Sequence, residues 1–501
     1  MPADPHAPTL GHDELVAAGR NPPCPFRIVL ADGTPLRVLR ALRVLPGQRI
    51  TGEAEWQGQR VLAKLFLTSA ANAHCRREAT GARLLAAAGV PTPALLGSFR
   101  SADGVEALLF DFLDGASTLA ERLAQSDAPG ARQHGDPGLP LAPAFRLLGT
   151  LHAAGLVHAD LHPGNLLEHR GQWLLIDSDA VATPPAARAA DALQDNLALF
   201  LAQFPPRFTP APDGALQAYR STFPGSAIST EELAARVEHA RRTRLHRFLA
   251  KVGRDCSRFM VERSASRFMA LLRSEASWLR EFAEQPDRWL HSGAQLKSGR
   301  TATVARVSAG TRDCVIKRYN IKGLAHALGR AWRPSRAWHS WREAHRLAFL
   351  GIATPAALAI IERRLGPLRR QAWLITEFSP GISLRELFAG RENETPTAAE
   401  AEALLDLFGR LHAQRITHGD LKASNLLWHE GRISLIDLDA TVQHRSERSY
   451  LAAWRRDRAR WLRNWPADSA LCQWFAHHLP PAEHASAMPQ PDSRSTSPAD
   501  S

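Results

Sequence analysis

The chain has 501 residues, 45% of them hydrophobic and 22% charged, enough for two domains that each bury a core. Sixty-two Lys and Arg against fifty Asp and Glu leave a net charge of +12, and no apolar run reaches 18 residues, so neither a membrane-spanning helix nor a cleaved export signal is expected. Five scattered cysteines without a C-x-x-C pair exclude a disulfide framework and imply reduced thiols, as in a cytoplasm.

Residues 1–20, opening MPADPHAPTL, read as a disordered tail, and a first domain is expected over 21–283. LPGQRITGEAEW offers Gly47 and Gly52, either as a loop covering nucleotide phosphates or as an ordinary hairpin turn. VLAKLFL reads as a strand carrying Lys64, and the helical stretch AHCRREATGARLLAAAG carries Glu78, 14 residues on. The prolines of VPTPALL end that helix and open a strand, and ALLFDFLDG (107–115) has the look of a hinge.

The stretch Leu147 to Ala180, LLGTLHAAGLVHADLHPGNLLEHRGQWLLIDSDA, carries the chemistry. Phosphoryl transfer from a nucleotide needs a carboxylate to orient and deprotonate the attacking hydroxyl, and oxygen ligands for Mg²⁺ on the phosphates. In H-x-D-x-x-x-x-N, Asp160 and Asn165 lie five residues apart on one tight loop, so one can face the acceptor and the other a metal. Twelve residues after Asn165, an apolar strand ends in Asp177, the natural second ligand. His158 reads as a brace for the loop, and His152 as a packed structural histidine. Asp179 is either a further metal contact or a hydrogen-bond acceptor.

A predicted helical region, Arg236–Arg280, holds twelve Lys and Arg against four acidic residues, a net +8. Such a surface would attract an anionic glycolipid or membrane face; the plainer reading is a solvated helix in an Arg-rich protein. Nucleic acid is set aside, because no recognised binding motif accompanies the charge.

From 284 to 479 the same parts return in the same order. LKSGRTATVARV has Gly299 alone, CVIKRY supplies Lys317, and WREAHRLAFLGI supplies Glu343, 26 residues on. A basic, tryptophan-containing insertion separates them, and IATPAAL and AWLITEFSPG (372–381) follow. Leu407 to Ala440 then reads LFGRLHAQRITHGDLKASNLLWHEGRISLIDLDA, with His412, His418, Asp420, Asn425, Asp437 and Asp439. Against the first copy it needs no gap, and 18 of 34 positions are identical. A duplication of this length signals tandem domains. Residues 480–501 read as a second disordered tail. The tryptophans read as core or interface residues.

HADLHPGN and HGDLKASN, followed by LLIDSDA and SLIDLDA where protein kinases have D-F-G, resemble the bacterial lipopolysaccharide core kinase (Kdo/WaaP) family. The basic insertion of the second half strengthens that likeness, which spans about residues 40–200 and 290–465. The resemblance implies an α+β fold of two tandem protein-kinase-like domains, each a β-rich N-lobe and a mainly helical C-lobe. It implies Asp160 and Asp420 as catalytic bases, and Asn165, Asp177, Asn425 and Asp437 as metal ligands. Lys64 with Glu78, and Lys317 with Glu343, would hold the nucleotide phosphates. ATP and Mg²⁺ would be the cofactors, a heptose or Kdo hydroxyl of the lipopolysaccharide inner core the acceptor, and the inner face of the cytoplasmic membrane the place. Aminoglycoside- or choline-type kinases share H-x-D-x-x-x-x-N, and a pseudokinase scaffold is a further alternative. A protein kinase is opposed by the missing glycine after I-D-x-D and the missing A-P-E. The shorter lysine-to-glutamate spacing of the first half puts identical acceptors for the two domains in doubt.

Overall fold

The computed structural model describes residues 7–126, 141–204, 213–225, 229–299, 301–309, 312–320, 334–366 and 368–482. It is α+β and forms two compact units, Met1–Thr243 and Arg244–Ser501, each a β-sheet followed by helices.

In the first unit, strands β1 (Phe26–Val29), β2 (Pro35–Leu45), β3 (Arg49–Trp56), β4 (Gln59–Phe66), β5 (Leu95–Arg100) and β6 (Glu106–Asp111) form one antiparallel sheet. Its order is β1-β2-β3-β4-β6-β5. Alternation along β4 decides where the chemistry goes. Val61, Ala63 and Leu65 enter one apolar core, whereas Phe66 joins a second core built with Cys75, Ala79 and Ala82. Those three lie on one face of the helix Ser69–Ala87, and residues two apart in a strand share a face. Lys64, in step with Phe66, is therefore delivered to the helix. Each buried Val or Leu in these layers contributes about 1.5–3 kcal/mol.

Residues 7–20 are not a tail. The helix α1 (His12–Ala17) sets Leu15 fully inside the sheet core, and Leu10 N donates to the Arg27 carbonyl. With the helix Ser69–Ala87 as α2, the helical part of the unit includes α3 (Leu141–Ala153) and α4 (Ala189–Leu201). Beside them a short hairpin, β7 (Leu166–His169) and β8 (Gln172–Leu175), precedes Asp177.

The expected boundary at 283/284 is displaced by pairing. In the region read as helical, the helix α5 (Thr230–Lys251) ends before Gly253, and a hairpin of β9 (Phe259–Arg263) and β10 (Arg267–Leu272) follows. Strand β10 pairs with β14 (Ala357–Leu365), so the hairpin belongs to the second sheet. With β11 (Ala294–Ser298), β12 (Ala302–Ala309), β13 (Arg312–Tyr319) and β15 (Leu368–Glu377), that sheet runs β9-β10-β14-β15-β13-β12-β11. Three of the twelve basic residues of the stretch form ion pairs with described residues. Arg236 meets Asp191, Asp195 and Glu232 in the first unit; in the second, Arg267 meets Glu262 and Glu284, and Arg273 meets Asp255.

The helix α6 (Arg336–Phe349) packs Ala337, Trp341, Ala344 and Leu347 into the second core. The helices α7 (Ala398–Ala413) and α8 (Glu447–Leu462) share this core with the hairpin of β16 (Leu426–His429) and β17 (Arg432–Leu435). Most of the basic insertion (321–333) and the second tail beyond 482 lie outside the described residues.

Candidate active site

One feature fixes the register of each site. Thr92 Oγ1 donates to the Leu175 carbonyl at 2.8 Å, and Leu175 N donates back to the Pro91 carbonyl at 2.8 Å. Thr354 and Leu435 repeat this at 2.8 Å, with Leu435 N to the Ala353 carbonyl at 2.9 Å. The end of the helix is thereby tied to the strand that leads into Asp177 or Asp437.

Asp177 and Asp437 both sit in the left-handed region, at φ 59° and 60°. Asp enters that region more readily than most residues, yet still at a cost of about 1–3 kcal/mol, and such strain clusters at functional sites. Just before each, Ile176 N and Ile436 N donate to the carbonyls of Asn165 and Asn425, both at 2.9 Å. The expected oxygen pairs, Asn165 with Asp177 and Asn425 with Asp437, are thus held side by side.

In the first unit, Lys64 Nζ donates to Glu78 Oε1 and, at 2.7 Å, to Asp177 Oδ1. The lysine is 6% exposed and Glu78 1%, while Asp177 is the open member, its side chain 31% exposed. Arg49 stands 3.7 Å from Glu78 on the other side. Burial alone would lower the Lys64 pKa, but the charges of Glu78 and Asp177 outweigh it and hold the ammonium above its ordinary value. For Asp177, burial is outweighed by Lys64, Arg49 and Arg43, which keep the carboxyl below the usual carboxylate range. The helix and the turn after Asp177 also touch directly. Ser178 Oγ donates to the Glu78 carbonyl at 2.9 Å, and a Cβ on Gly81 would stand 1.9 Å from the Ser178 carbonyl oxygen.

The second unit departs from this. Lys317 Nζ donates to Asp437 Oδ1 at 2.5 Å and to Asp439 Oδ1 at 2.9 Å. Glu343, expected to hold the lysine, is buried but faces Arg346 at 2.7 Å. Helix register explains the miss. Fourteen residues before Thr92 stands Glu78; fourteen before Thr354 stands Ser340, and Glu343 matches Gly81. Ser340 Oγ donates to Asp439 Oδ1 at 2.8 Å, as does Tyr319 Oη at 2.7 Å. Burial and Asp439 push the Tyr319 hydroxyl well above its ordinary pKa. Asp437 is held below the usual range: burial opposes this, but Lys317, His418 and Lys297 prevail. In the first unit the matching Asp179 meets only His74, at 3.1 Å, among the described residues.

Both H-x-D-x-x-x-x-N loops are braced from behind. His158 Nε2 lies 3.0 Å from the Asp177 carbonyl, and His418 Nε2 2.9 Å from that of Ile436. Asn196 Oδ1 accepts from His158 N at 3.1 Å, and Asp457 Oδ2 from His418 N at 2.7 Å. The histidine braces match the sequence reading, whereas Asn196 and Asp457 were not foreseen, because each sits on a distant helix and only its burial in the fold marks it. His152 and His412 are packed against Tyr219 and Tyr450, each 2.8 Å from the phenol oxygen, as structural histidines would be. Asp160 is exposed at the mouth of its loop. Asp420 instead pairs with Arg460 and, at 3.1 Å, with Lys422.

Gly47 makes the left-handed turn between β2 and β3, while Gly52 lies within β3, where a Cβ would strike the Arg40 carbonyl at 2.8 Å. Both are therefore needed by the sheet itself. In the second unit a cleft of about 780 Å³ opens between sheet and helices, and Lys317, Asp420, Asn425 and Asp437 all line it. Val304, Leu374 and Ile436 supply apolar walls. Among the described residues no group of three or more His, Cys, Asp or Glu forms a closed metal cage. The donor set suits Mg²⁺ nonetheless, since that ion is held by one or two carboxylates plus phosphate oxygens. The buried Asn165 Oδ1 has no hydrogen-bond partner among the described residues, as a ligand oxygen awaiting a cation would be.

Residues 281–458 match the lipopolysaccharide kinase (Kdo/WaaP) family. The chain is 28% identical over 158 residues to the lipopolysaccharide core heptose(I) kinase WaaP of Pseudomonas aeruginosa, covering 26% of this chain and 59% of that protein. It is 36% identical over 75 residues to human serine/threonine-protein kinase PAK 4, covering 15% of this chain and 13% of the kinase. The solved structure of WaaP in complex with acyl carrier protein aligns at 20% identity and a TM-score of 0.29, over 39% of this chain and 87% of that one. The C-terminal half therefore carries a domain of the lipopolysaccharide kinase (Kdo/WaaP) family.

Proposed function

We propose that the protein is an ATP-dependent sugar kinase that phosphorylates heptose or Kdo hydroxyls of the lipopolysaccharide inner core, at the cytoplasmic membrane face. One observation carries the reading: Lys317, Asp420, Asn425 and Asp437 converge on a single cleft within the stretch that matches the lipopolysaccharide kinase family. Lys317 would move its charge from Asp437 to the nucleotide phosphates, and Asn425 with Asp437 would hold Mg²⁺. When bound, Mg²⁺ supplies neutralisation of phosphate charge. Asp420 would accept the proton of the attacking hydroxyl, worth typically about 10²–10⁴ in rate. Its pairing with Lys422 and Arg460 fixes the carboxylate at the cleft.

The first unit repeats the set as Lys64, Glu78, Asp160, Asn165 and Asp177, and we assign it turnover on a different acceptor position. Support comes from the acceptor side, where His162 replaces Lys422. The test is transfer of labelled phosphate from ATP to core oligosaccharide, with phosphate analysis of the core from a deletion strain. Asp160→Asn and Asp420→Asn should each remove a different phosphate while ATP still binds. Normal core phosphorylation by the double variant would reject the assignment, and loss of all product from one substitution alone would make the other unit a docking module. Asp177→Ala with Asp437→Ala should abolish metal-dependent ATP binding in calorimetry.

A further inference from the structure

In kinase-like sites of the first unit's pattern, a helix carboxylate holds the phosphate-binding lysine. The second unit has no carboxylate at that place, since the helix presents Ser340 where the first unit presents Glu78. Its buried Glu343 points to Arg346. The lysine is nevertheless held, by Asp439 at 2.9 Å. That carboxylate is fixed in turn by Tyr319 Oη at 2.7 Å and Ser340 Oγ at 2.8 Å, with Arg336 3.8 Å away. Three donors on one oxygen, two of them neutral, leave it little freedom to turn.

We propose that Asp439 is the positioning residue for Lys317 in the second unit, taking over the task that Glu78 performs in the first. The inference rests on the kinase reading above and deepens it. The consequence is structural: Lys317 is anchored by the loop that also carries Asp437, so lysine and metal ligand move as one piece. In the first unit, displacement of the helix Ser69–Ala87 would take Glu78 away from Lys64. In the second, α6 contributes only a hydroxyl.

The experiment uses the full chain in a Lys64→Met background, so that nucleotide titration reads the second unit. Asp439→Asn keeps the shape and the contacts to Tyr319 and Ser340 but removes the charge. It should weaken ATP binding by about tenfold or more, the scale of one charge-assisted hydrogen bond, while adenosine binds as before. Adding Ser340→Glu, which places a carboxylate at the register of Glu78, should restore most of the ATP affinity. Unchanged ATP affinity in Asp439→Asn would overturn the proposal. So would an equal loss for adenosine, which marks a merely structural role, or a loss that Ser340→Glu leaves untouched. If the background protein bound no ATP, the kinase reading would fall and this inference with it.

Discussion

Removing the strand lysine should cost far more stability in the first unit than in the second. Lys64→Met leaves Glu78, whose side chain is 1% exposed, with only Arg49 at 3.7 Å for compensation. Breaking a buried pair from one side costs about 3–5 kcal/mol, and Arg49 brings the expected figure to about 3 kcal/mol. Lys317→Met leaves Asp437 and Asp439, 34% and 20% exposed, and Asp439 keeps its two hydroxyl donors. Water can reach both, so the expected loss is about 1 kcal/mol, as for an exposed pair. For domains of this size the difference corresponds to about 4–8 °C in Tm. Hydrogen exchange resolved by peptide reads each unit separately, through strands Gln59–Phe66 and Arg312–Tyr319. The double variant Lys64→Met/Glu78→Gln should recover much of the loss, because the stranded charge is gone. Equal losses at the two lysines, or no recovery in the double variant, would refute the reasoning.

Other outcomes follow from the same geometry. Gly81→Ala drives a Cβ to 1.9 Å from the Ser178 carbonyl and should destabilise the first unit by about 1–3 kcal/mol, read in the same exchange experiment; a neutral result would mean that the helix and the turn after Asp177 are not in contact. His345, packed against Phe259 and Trp341, has its pKa lowered to about 3 by burial and by Arg258. A base whose folded pKa lies below its unfolded 6.5 loses stability as pH falls through 6.5, by about 1.4 kcal/mol per unit. His345→Phe should therefore flatten the acid limb of the second unit between about pH 6 and 4, and an unchanged slope would show that other groups set it. With a net charge of +12, and with no described helix long and apolar enough to cross a membrane, part of the protein should sediment with membranes and be released by salt. A requirement for detergent would contradict this.

What was legible in the sequence is what a short, stiff stretch of chain encodes. The placement of the H-x-D-x-x-x-x-N loops and of the aspartates beyond them was readable because a five-residue loop and a hairpin leave no freedom of register. Lys64 was readable because alternation fixes its face and the helix follows almost at once. Glu343 was misread for the opposite reason. A helix of this composition offers several polar residues, and an insertion of unequal length removed the count from the lysine as a guide. Counting back from Thr354, beyond the helix, reaches Ser340. The boundary at 283 failed because strand pairing between β10 and β14 spans some ninety residues, a contact that no local pattern announces. Yet FMVER and RFMALL, flanking a Ser-Ala-Ser turn, already look like two strands rather than the continuation of a basic helix.

The threonine that ties helix to strand also marks where this chain can be cut and spliced. Because Thr92 and Thr354 make the same paired bonds to Leu175 and Leu435, everything between the helix face and the threonine is interchangeable without a shift in phase. A chimera that places residues 78–92 where 340–354 stand would bring the Glu78 carboxylate to the helix face of the second unit, and the junction would stay where the threonine hydroxyl already holds it. Drift in each copy can thus rewrite the side chains around the lysine while the scaffold keeps its alignment, as a ruler keeps its zero while the markings change.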